Sequence, residues 1–314
     1  MNLHEYPNDF RDLITETASY IGIPEEAVRR DYFIVMLLQQ LEVSAYADRC
    51  VFKGGTSLSK CYPETIKRFS EDIDITFLMD ECATDKKYDK MLKLVEKAIA
   101  GKFRIEKIAP ERNKRNKSSY VYFGEGNAES DRIKLEIGSN VRPDPYDKRS
   151  LQTYIQEYLA NRGQGGFIQE FDLKTVSINT LKIERTFLDK VMAVKRHAMS
   201  GNLVQKMRHV YDVAMLFPRE EIQAFLSDQG ELKRLLQLTK KSDSFYLQKR
   251  SISGNYNPCA VYDFPSWRAY FDKNARDVYE SLHKTLLYTN EPQDFRQAID
   301  IFEQISRVFA DLGE

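Results

Sequence analysis

The sequence predicts an α/β fold, with a small mixed sheet in the first half and a mainly helical C-terminal region. Three patterns predict it. Segments 70–77 and 132–137 alternate charged and apolar side chains at the two-residue period of a strand with one polar face. Residues 50–58 read as a short apolar strand, a glycine turn and the start of a helix. From about residue 180 onward the apolar spacing becomes helical.

Each element has its own reason. Residues 25 to 47 contain no Gly or Pro, and Val28, Ile34, Leu37, Leu38 and Leu41 recur at helical intervals after Pro24, which predicts one long amphipathic helix. Cys50-Val51-Phe52 is the apolar strand, Lys53-Gly54-Gly55-Thr56-Ser57 the turn, and a short helix is expected from Leu58. In Ser70 to Phe77 the alternation makes Asp72 and Asp74 point the same way. A charged helix fills 85 to 100. Phe103–Ile108 and Ser118–Phe123 read as strands flanking a basic loop, and Arg132–Ile137 as another strand with Lys134 and Glu136 on one face. Gly163-Gln164-Gly165-Gly166 marks a flexible stretch, and the domain boundary is placed near 175, giving domains 1–175 and 176–314. Beyond it, 220–236 and 267–312 read as helices. One apolar stripe contains Tyr270, Phe271, Val278, Leu282 and Leu286, and another Phe295, Ile299, Phe302, Ile305 and Phe309.

Composition narrows the class. With 314 residues the chain makes two modest domains or one enlarged α/β domain. Its 47 Lys and Arg balance 47 Asp and Glu, so nothing in the global charge proposes non-specific binding to DNA or an anionic membrane; a nucleic-acid site must be local. Hydrophobic residues at 42% and charged residues at 30% exclude a disordered, collagenous or coiled-coil chain. Residues 1–7 lack the basic and apolar regions of a secretory signal, and the apolar run Tyr32–Leu38 is far short of the roughly 20 residues that cross a bilayer. Cys50, Cys61, Cys82 and Cys259 lie too far apart for zinc-type pairs or a disulfide scaffold, and are expected to be reduced, buried thiols of a cytoplasmic protein.

The chemistry-bearing residues cluster in the first half. Two aspartates at i and i+2 on a strand stand about 7 Å apart on one face, close enough to share divalent ions. Alone, Asp72 and Asp74 are an ordinary solvated strand edge. Their neighbours change that reading. Upstream, Gly54-Gly55-Thr56-Ser57 closes a strand and opens a helix, where missing side chains and free N–H groups suit a phosphate. Downstream, Glu136 on another alternating strand is a candidate third carboxylate. Three acids on adjacent strands repel one another unless cations neutralise them. The grouping therefore suggests two-metal phosphoryl or nucleotidyl transfer. A P-loop is excluded, because 53–60 lacks its second glycine, and no dinucleotide fingerprint, serine-hydrolase elbow or H-E-x-x-H helix occurs.

The strings Phe52-Lys53-Gly54-Gly55-Thr56-Ser57-Leu58-Ser59-Lys60 and Arg68-Phe69-Ser70-Glu71-Asp72-Ile73-Asp74-Ile75 resemble the AbiEii/AbiGii toxin family of nucleotidyltransferases, which belong to the polymerase-β-like superfamily and include MenT-like relatives. Phe187-Leu188-Asp189-Lys190 is similar to its helical lysine motif. Arg208-His209-Val210-Tyr211-Asp212-Val213 is similar to its R-D-x-x-D-L motif, departing at His209, where the family usually has an acid. The resemblance covers roughly residues 25 to 220. It implies a polymerase-β-like core in which Asp72 and Asp74 hold catalytic Mg²⁺ (or Mn²⁺) and Glu136 assists as third acid. It further implies that Gly54, Gly55, Thr56, Ser57 and Lys60 surround the nucleotide phosphates, that Lys190 binds the triphosphate, and that Asp212 completes the active site. By itself, Lys190 reads as a solvated helix residue.

Members of the family are toxins of toxin–antitoxin or abortive-infection (phage-defence) systems, and MenT-like relatives extend the 3′ end of tRNA. The resemblance thus implies transfer of NMP from an NTP to RNA, with tRNA the expected substrate, and a cognate antitoxin as partner. Two alternatives stay open: a protein or small-molecule acceptor, or a non-catalytic nucleotide-binding protein. Two basic runs are candidate RNA surfaces. Lys102, Arg104, Lys107, Arg112, Lys114, Arg115 and Lys117 form one; Lys182, Arg185, Lys190, Lys195, Arg196, Lys206 and Arg208 form the other. Charge runs are also commonly solvated faces. Arg250, Tyr256 and Tyr262 either stack on unpaired bases or line a core. Ser70, two residues before Asp72, is a candidate regulatory site where a phosphate would repel nucleotide; its ordinary role is to cap the strand edge.

Overall fold

A computed structural model describes residues 2–79, 83–124, 128–139, 142–249 and 256–314, with side-chain positions at 245, 246, 248 and 249 left aside. Cys82 and Arg250 lie outside the described residues. In chain order the elements are α1 (Pro7–Ile21), α2 (Glu25–Glu42), β1 (Cys50–Lys53), α3 (Gly54–Cys61), β2 (Asp72–Phe77), α4 (Asp85–Ala100), β3 (Arg104–Lys107), β4 (Asn116–Tyr122), β5 (Arg132–Gly138) and β6 (Tyr146–Leu151). There follow α5 (Tyr154–Asn161), α6 (Gly165–Glu170), β7 (Val176–Leu181), α7 (Ile183–Met199), α8 (Met207–Leu216), α9 (Glu220–Ser227), α10 (Gln229–Lys249), α11 (Phe264–Trp267), α12 (Lys273–Glu280) and α13 (Phe295–Asp311).

The chain divides into two compact units. The first comprises Met1–Cys61, Phe69–Ser139 and Tyr146–Thr180; the second comprises Tyr62–Arg68, Asn140–Pro145 and Leu181–Glu314. The first carries a seven-stranded mixed sheet in the order β3-β4-β5-β2-β1-β7-β6. β2 runs antiparallel to β1 and parallel to β5. Alternation on these strands sends Ile73, Ile75, Ile133, Leu135 and Ile137 into the core, while Asp72, Asp74, Lys134 and Glu136 stay half-buried on the opposite face. α4 packs on β4 and β5 through Leu92, Val95 and Ile99, and α2 packs on α4 and α1. Each of these aliphatic side chains contributes about 1.5–3 kcal/mol when fully buried.

Several sequence expectations shift by a turn or more, each for a local reason. The helix expected over 25–47 ends at Glu42, where the Ser44 hydroxyl takes up the Leu41 carbonyl. The helix expected from Leu58 begins four residues earlier, at Gly54. The strand expected from Ser70 starts at Asp72. The helix expected over 220–236 is two: Asp228 ends α9, and its carboxylate accepts the Glu231 N–H to start α10. The stripe from Tyr270 to Leu286 is likewise divided, because Asp272 caps a new helix by accepting the Ala275 N–H, and Tyr270 is exposed. α13 is one helix, but Ala298 and Ile301 are core residues there while Ile299 is only half-buried.

The sequence patterns did not indicate β6 and β7. β6 is an edge strand rich in charge, so no apolar alternation marks it. Cys50 and Cys61 are buried free thiols, pushed up to about 12 and about 11 by burial, as inert core thiols should be; Cys259 instead is exposed. Among the described residues no helix is long and apolar enough to cross a membrane.

Candidate functional site

The acidic face of the first unit is assembled by strand register. Asp74 is the register partner of Glu136 on β5, and Asp72 of Lys134. Parallel partners share a face, so one turn of pleat gathers Asp72, Asp74, Lys134 and Glu136. On the other side of β2, Lys53 at the end of β1 is the register partner of Asp74. This half-buried cation beside the aspartates was quoted in the sequence motif but given no role; only the antiparallel register brings it there.

Immediately after Lys53 the chain turns into α3 at Gly54, whose φ of +86° belongs to the left-handed region. A Cβ at Gly54 would lie 2.2 Å from the Asp74 Oδ2, so the glycine is required both by its backbone and by the carboxylate resting on it. The first N–H groups of α3 have no partner within their own helix. The Asp74 carboxylate thus sits at the positive end of α3.

The hydroxyls of this turn face inward, which corrects one expectation. Thr56 and Ser57 are almost fully buried. The Thr56 Oγ1 donates to the Asp72 carbonyl at 2.5 Å and lies 3.0 Å from the Ser70 hydroxyl; the Ser57 Oγ donates to the Gly54 carbonyl. Their side chains therefore hold the turn and the start of β2, and only their backbone N–H groups are left for a phosphate. Lys60 is a second correction. Its ammonium is buried, 2.6 Å from Asp31 on α2 and 4.0 Å from the centroid of the Tyr154 ring, so it braces α3 from behind and is not a phosphate ligand. Burial raises the Asp31 carboxyl, although Lys60 and the Tyr154 N–H act against that rise.

Glu136 also differs from expectation. Its carboxylate is 2.6 Å from Lys134, which also reaches Glu111 at 2.8 Å. Burial acts against the Lys134 charge, yet the two carboxylates outweigh it and raise this ammonium above its ordinary value. Among the described residues no three His, Cys, Asp or Glu side chains converge as ligands of one ion. The expected three-acid cluster is thus not assembled, because Lys134 neutralises Glu136 from two residues away on the same face. Asp72 and Asp74 remain a pair of oxygen donors of the kind Mg²⁺ takes with phosphate oxygens and water.

The second unit holds Lys190 and Asp212. Asp212 on α8 is fully buried and receives Arg68 in a two-point contact, Nε to Oδ1 at 2.5 Å and a terminal nitrogen to Oδ2 at 2.7 Å, while the Lys190 Nζ lies 2.5 Å from Oδ2. Burial alone would raise the Asp212 carboxyl, but Arg68 and then Lys190 hold it far below the carboxylate range. Burial pulls Lys190 down, against the attraction of Asp212. Arg68 was part of the sequence motif without an assigned role, and its partner lies 144 residues away. His209 stacks on His197, centroids 5.8 Å apart and 6° between planes, and burial keeps it neutral.

The basic runs are mostly internal. Arg112 is bound to Glu96, Arg115 to Asp85 and Lys117 to Asp89, stitching α4 to the sheet; Lys102, Lys107 and Lys114 keep exposed positions. In the second run Arg185, Lys190 and Lys195 are buried and Arg196 pairs with Asp243, so these four are not a phosphate-contacting surface. Tyr256 donates to Asp243 and Tyr262 packs edge-on against Trp267 and Phe309, both in the core, so neither is available to stack on a base.

The family model described as nucleotidyl transferase AbiEii toxin, type IV toxin–antitoxin system, matches residues 36–301. No curated protein matches. Among solved structures the chain is similar to MenT4, a nucleotidyltransferase toxin from Mycobacterium tuberculosis H37Rv, at 18% identity and a TM-score of 0.48, over 95% of this chain and 98% of that one.

Proposed function

The chain belongs to the AbiEii nucleotidyltransferase toxin family of type IV toxin–antitoxin systems, and we propose that it transfers NMP from an NTP to an RNA acceptor, the 3′ end of tRNA being the expected one. The single observation that carries this reading is the Asp72–Asp74 pair beside a glycine-opened helix, with Asp74 resting on Gly54. Asp72 and Asp74 hold Mg²⁺ or Mn²⁺, and Glu136 joins them when Lys134 is drawn to Glu111 alone. Bound divalent ions supply activation of the attacking hydroxyl and neutralisation of the departing pyrophosphate.

The chain's own groups do the rest. Gly55, Thr56 and Ser57 present backbone N–H groups to phosphate oxygens. Thr56 keeps β2 in place through the Asp72 carbonyl. Lys190 neutralises the triphosphate, whose negative charge restores an ammonium that burial disfavours. Asp212, held by Arg68, positions Lys190. A phosphate on Ser70 would break its contact with Thr56 and set negative charge beside Asp72, an off-switch. The domain division 1–175 and 176–314 carries the same assignment, acids in the first and Lys190 with Asp212 in the second. Extension of the acceptor end would block aminoacylation and translation, with an antitoxin countering the effect in the cytoplasm.

Incubating the protein with total tRNA, Mg²⁺ and each α-labelled NTP tests the reading, with Asp72→Ala as control. Label in tRNA from the wild type alone supports it and names the nucleotide. Label appearing in protein or a small molecule would replace the RNA acceptor, and NTP binding without transfer to any acceptor would leave a binding protein.

A further inference from the structure

The first unit contains a cavity of about 530 Å³ enclosed by the amino-terminal turn, α1, the start of α2, Phe123 and Ser130. That volume falls within the range of small-ligand sites, roughly 300–1,000 Å³. Its walls are rings. Phe33 and Phe123 stack with centroids 4.1 Å apart and 14° between planes, Phe10 stands edge-on to Phe33, and the His4 ring is 5.4 Å from Phe33. Burial lowers the His4 imidazole, so this wall is uncharged at neutral pH.

The rim is polar and balanced in charge: Arg11 and Arg29 against Glu25 and Glu26. Glu25 and Arg29 are four apart on α2 and stand on one face. Arg29 is fixed by Asp131 at 2.5 Å and lies 5.3 Å from the Phe123 centroid, which leaves most of its five N–H donors for a guest. A simple anion has no use for two carboxylates at its door, and an apolar guest has no use for any of the four charges. A flat aromatic molecule whose edge carries both donors and acceptors uses all of it. Among nucleobases only guanine offers two adjacent donors, N1–H and N2–H, to one carboxylate, together with the O6 and N7 acceptors that a guanidinium spans.

We propose that this cavity binds a guanine base, either of a free nucleotide or of an unpaired residue in RNA, with its faces against the phenylalanines, its donors on Glu25 and its acceptors on Arg29. The site goes beyond the nucleotidyl-transfer reading and does not depend on it. It also adjoins the acidic strand: Arg30, next to Arg29, pairs with Glu71, the residue before Asp72, and donates to the Glu129 carbonyl, next to Ser130.

The test titrates the full-length protein with GMP, AMP and short single-stranded RNAs with and without guanine, in EDTA, by calorimetry. Chelation and an Asp72→Ala variant both disable the acidic face, so failure of the catalytic reading is separable from failure of this one. Expected is one-to-one binding of a guanine ligand, at least about tenfold tighter than its adenine counterpart. It should persist in Asp72→Ala, weaken about tenfold in Glu25→Gln, an exposed position that leaves the fold intact, and vanish in Ser130→Trp, which plugs the mouth. Binding of GMP names the free nucleotide as source; binding of guanine RNA without GMP names the strand. Equal affinity for guanine and adenine, retention in Ser130→Trp, loss in Asp72→Ala, or no binding by any of these ligands overturns the proposal.

Discussion

Replacing Gly54 by alanine puts the link between turn and acid to a quantitative test. Two costs are separable. The left-handed φ of +86° disfavours any Cβ by roughly 1–2 kcal/mol. The new methyl would also lie 2.2 Å from the Asp74 Oδ2, against an ordinary contact of 3.4 Å or more, so the carboxylate must retreat by about 1.2 Å, the difference of those two distances. Misplacing a reacting group by about 1 Å costs on the order of 100-fold in rate, equivalent to roughly 2.7 kcal/mol of barrier. Gly22→Ala is the matched control, because Gly22 has a φ of +78° with nothing within 4 Å of the added Cβ. Melting curves and single-turnover nucleotidyl transfer should show both variants losing a few degrees of melting temperature, and only Gly54→Ala losing about two orders of magnitude in turnover. Wild-type turnover in a folded Gly54→Ala protein would refute the argument.

Other predictions concern the buried ion pairs and the turn. Removing the charge in Asp212→Asn strands Arg68 and Lys190 in the core and should destabilise the protein by about 3–5 kcal/mol at pH 7. The Asp212 carboxyl is depressed in the folded state, so its stabilisation is complete above the unfolded value near 4 and fades as pH falls below it. The melting-temperature gap between wild type and Asp212→Asn should therefore narrow in acid, and a gap that is constant from pH 7 to pH 2.5 contradicts the assignment. Lys60→Met should cost about 3 kcal/mol or more by leaving Asp31 unpaired, and Lys60→Met combined with Asp31→Leu should recover most of it. Loss of NTP binding at unchanged stability in Lys60→Met would instead return Lys60 to the phosphates. Thr56→Val removes the bond to the Asp72 carbonyl and should cost about 1 kcal/mol, while Thr56→Ser keeps it; identical melting of the two variants would show that the bond contributes nothing.

The legible parts of this chain were those in which a local pattern has one structural solution. Alternation in Asp72–Phe77 and Arg132–Gly138 placed the acids on one face, and the strand-to-glycine string located the turn. Lys60 misled because a lysine in a phosphate-binding string looks solvent-facing until Asp31, 29 residues upstream, is folded against it. The second basic run misled in the same way: charge density along the chain does not tell that Arg185 turns inward to the carbonyls of Arg142 and Asp144. Edge strand β6 carried no apolar signal, since an edge covered with charge has little to alternate.

Periodicity and residue type were enough to establish the α/β class, the acidic strand, the glycine turn and the family, because these depend on neighbours within a few residues. Pairing was beyond their reach. The partnership of Asp74 with Glu136 and Lys53, the capture of Glu136 by Lys134, the closing of Arg68 on Asp212 and the ring-lined cavity at Phe33 and Phe123 join residues from 2 to 144 positions apart. Register and burial made those choices, because a half-buried charge takes its state from whichever partner the folded chain brings within reach.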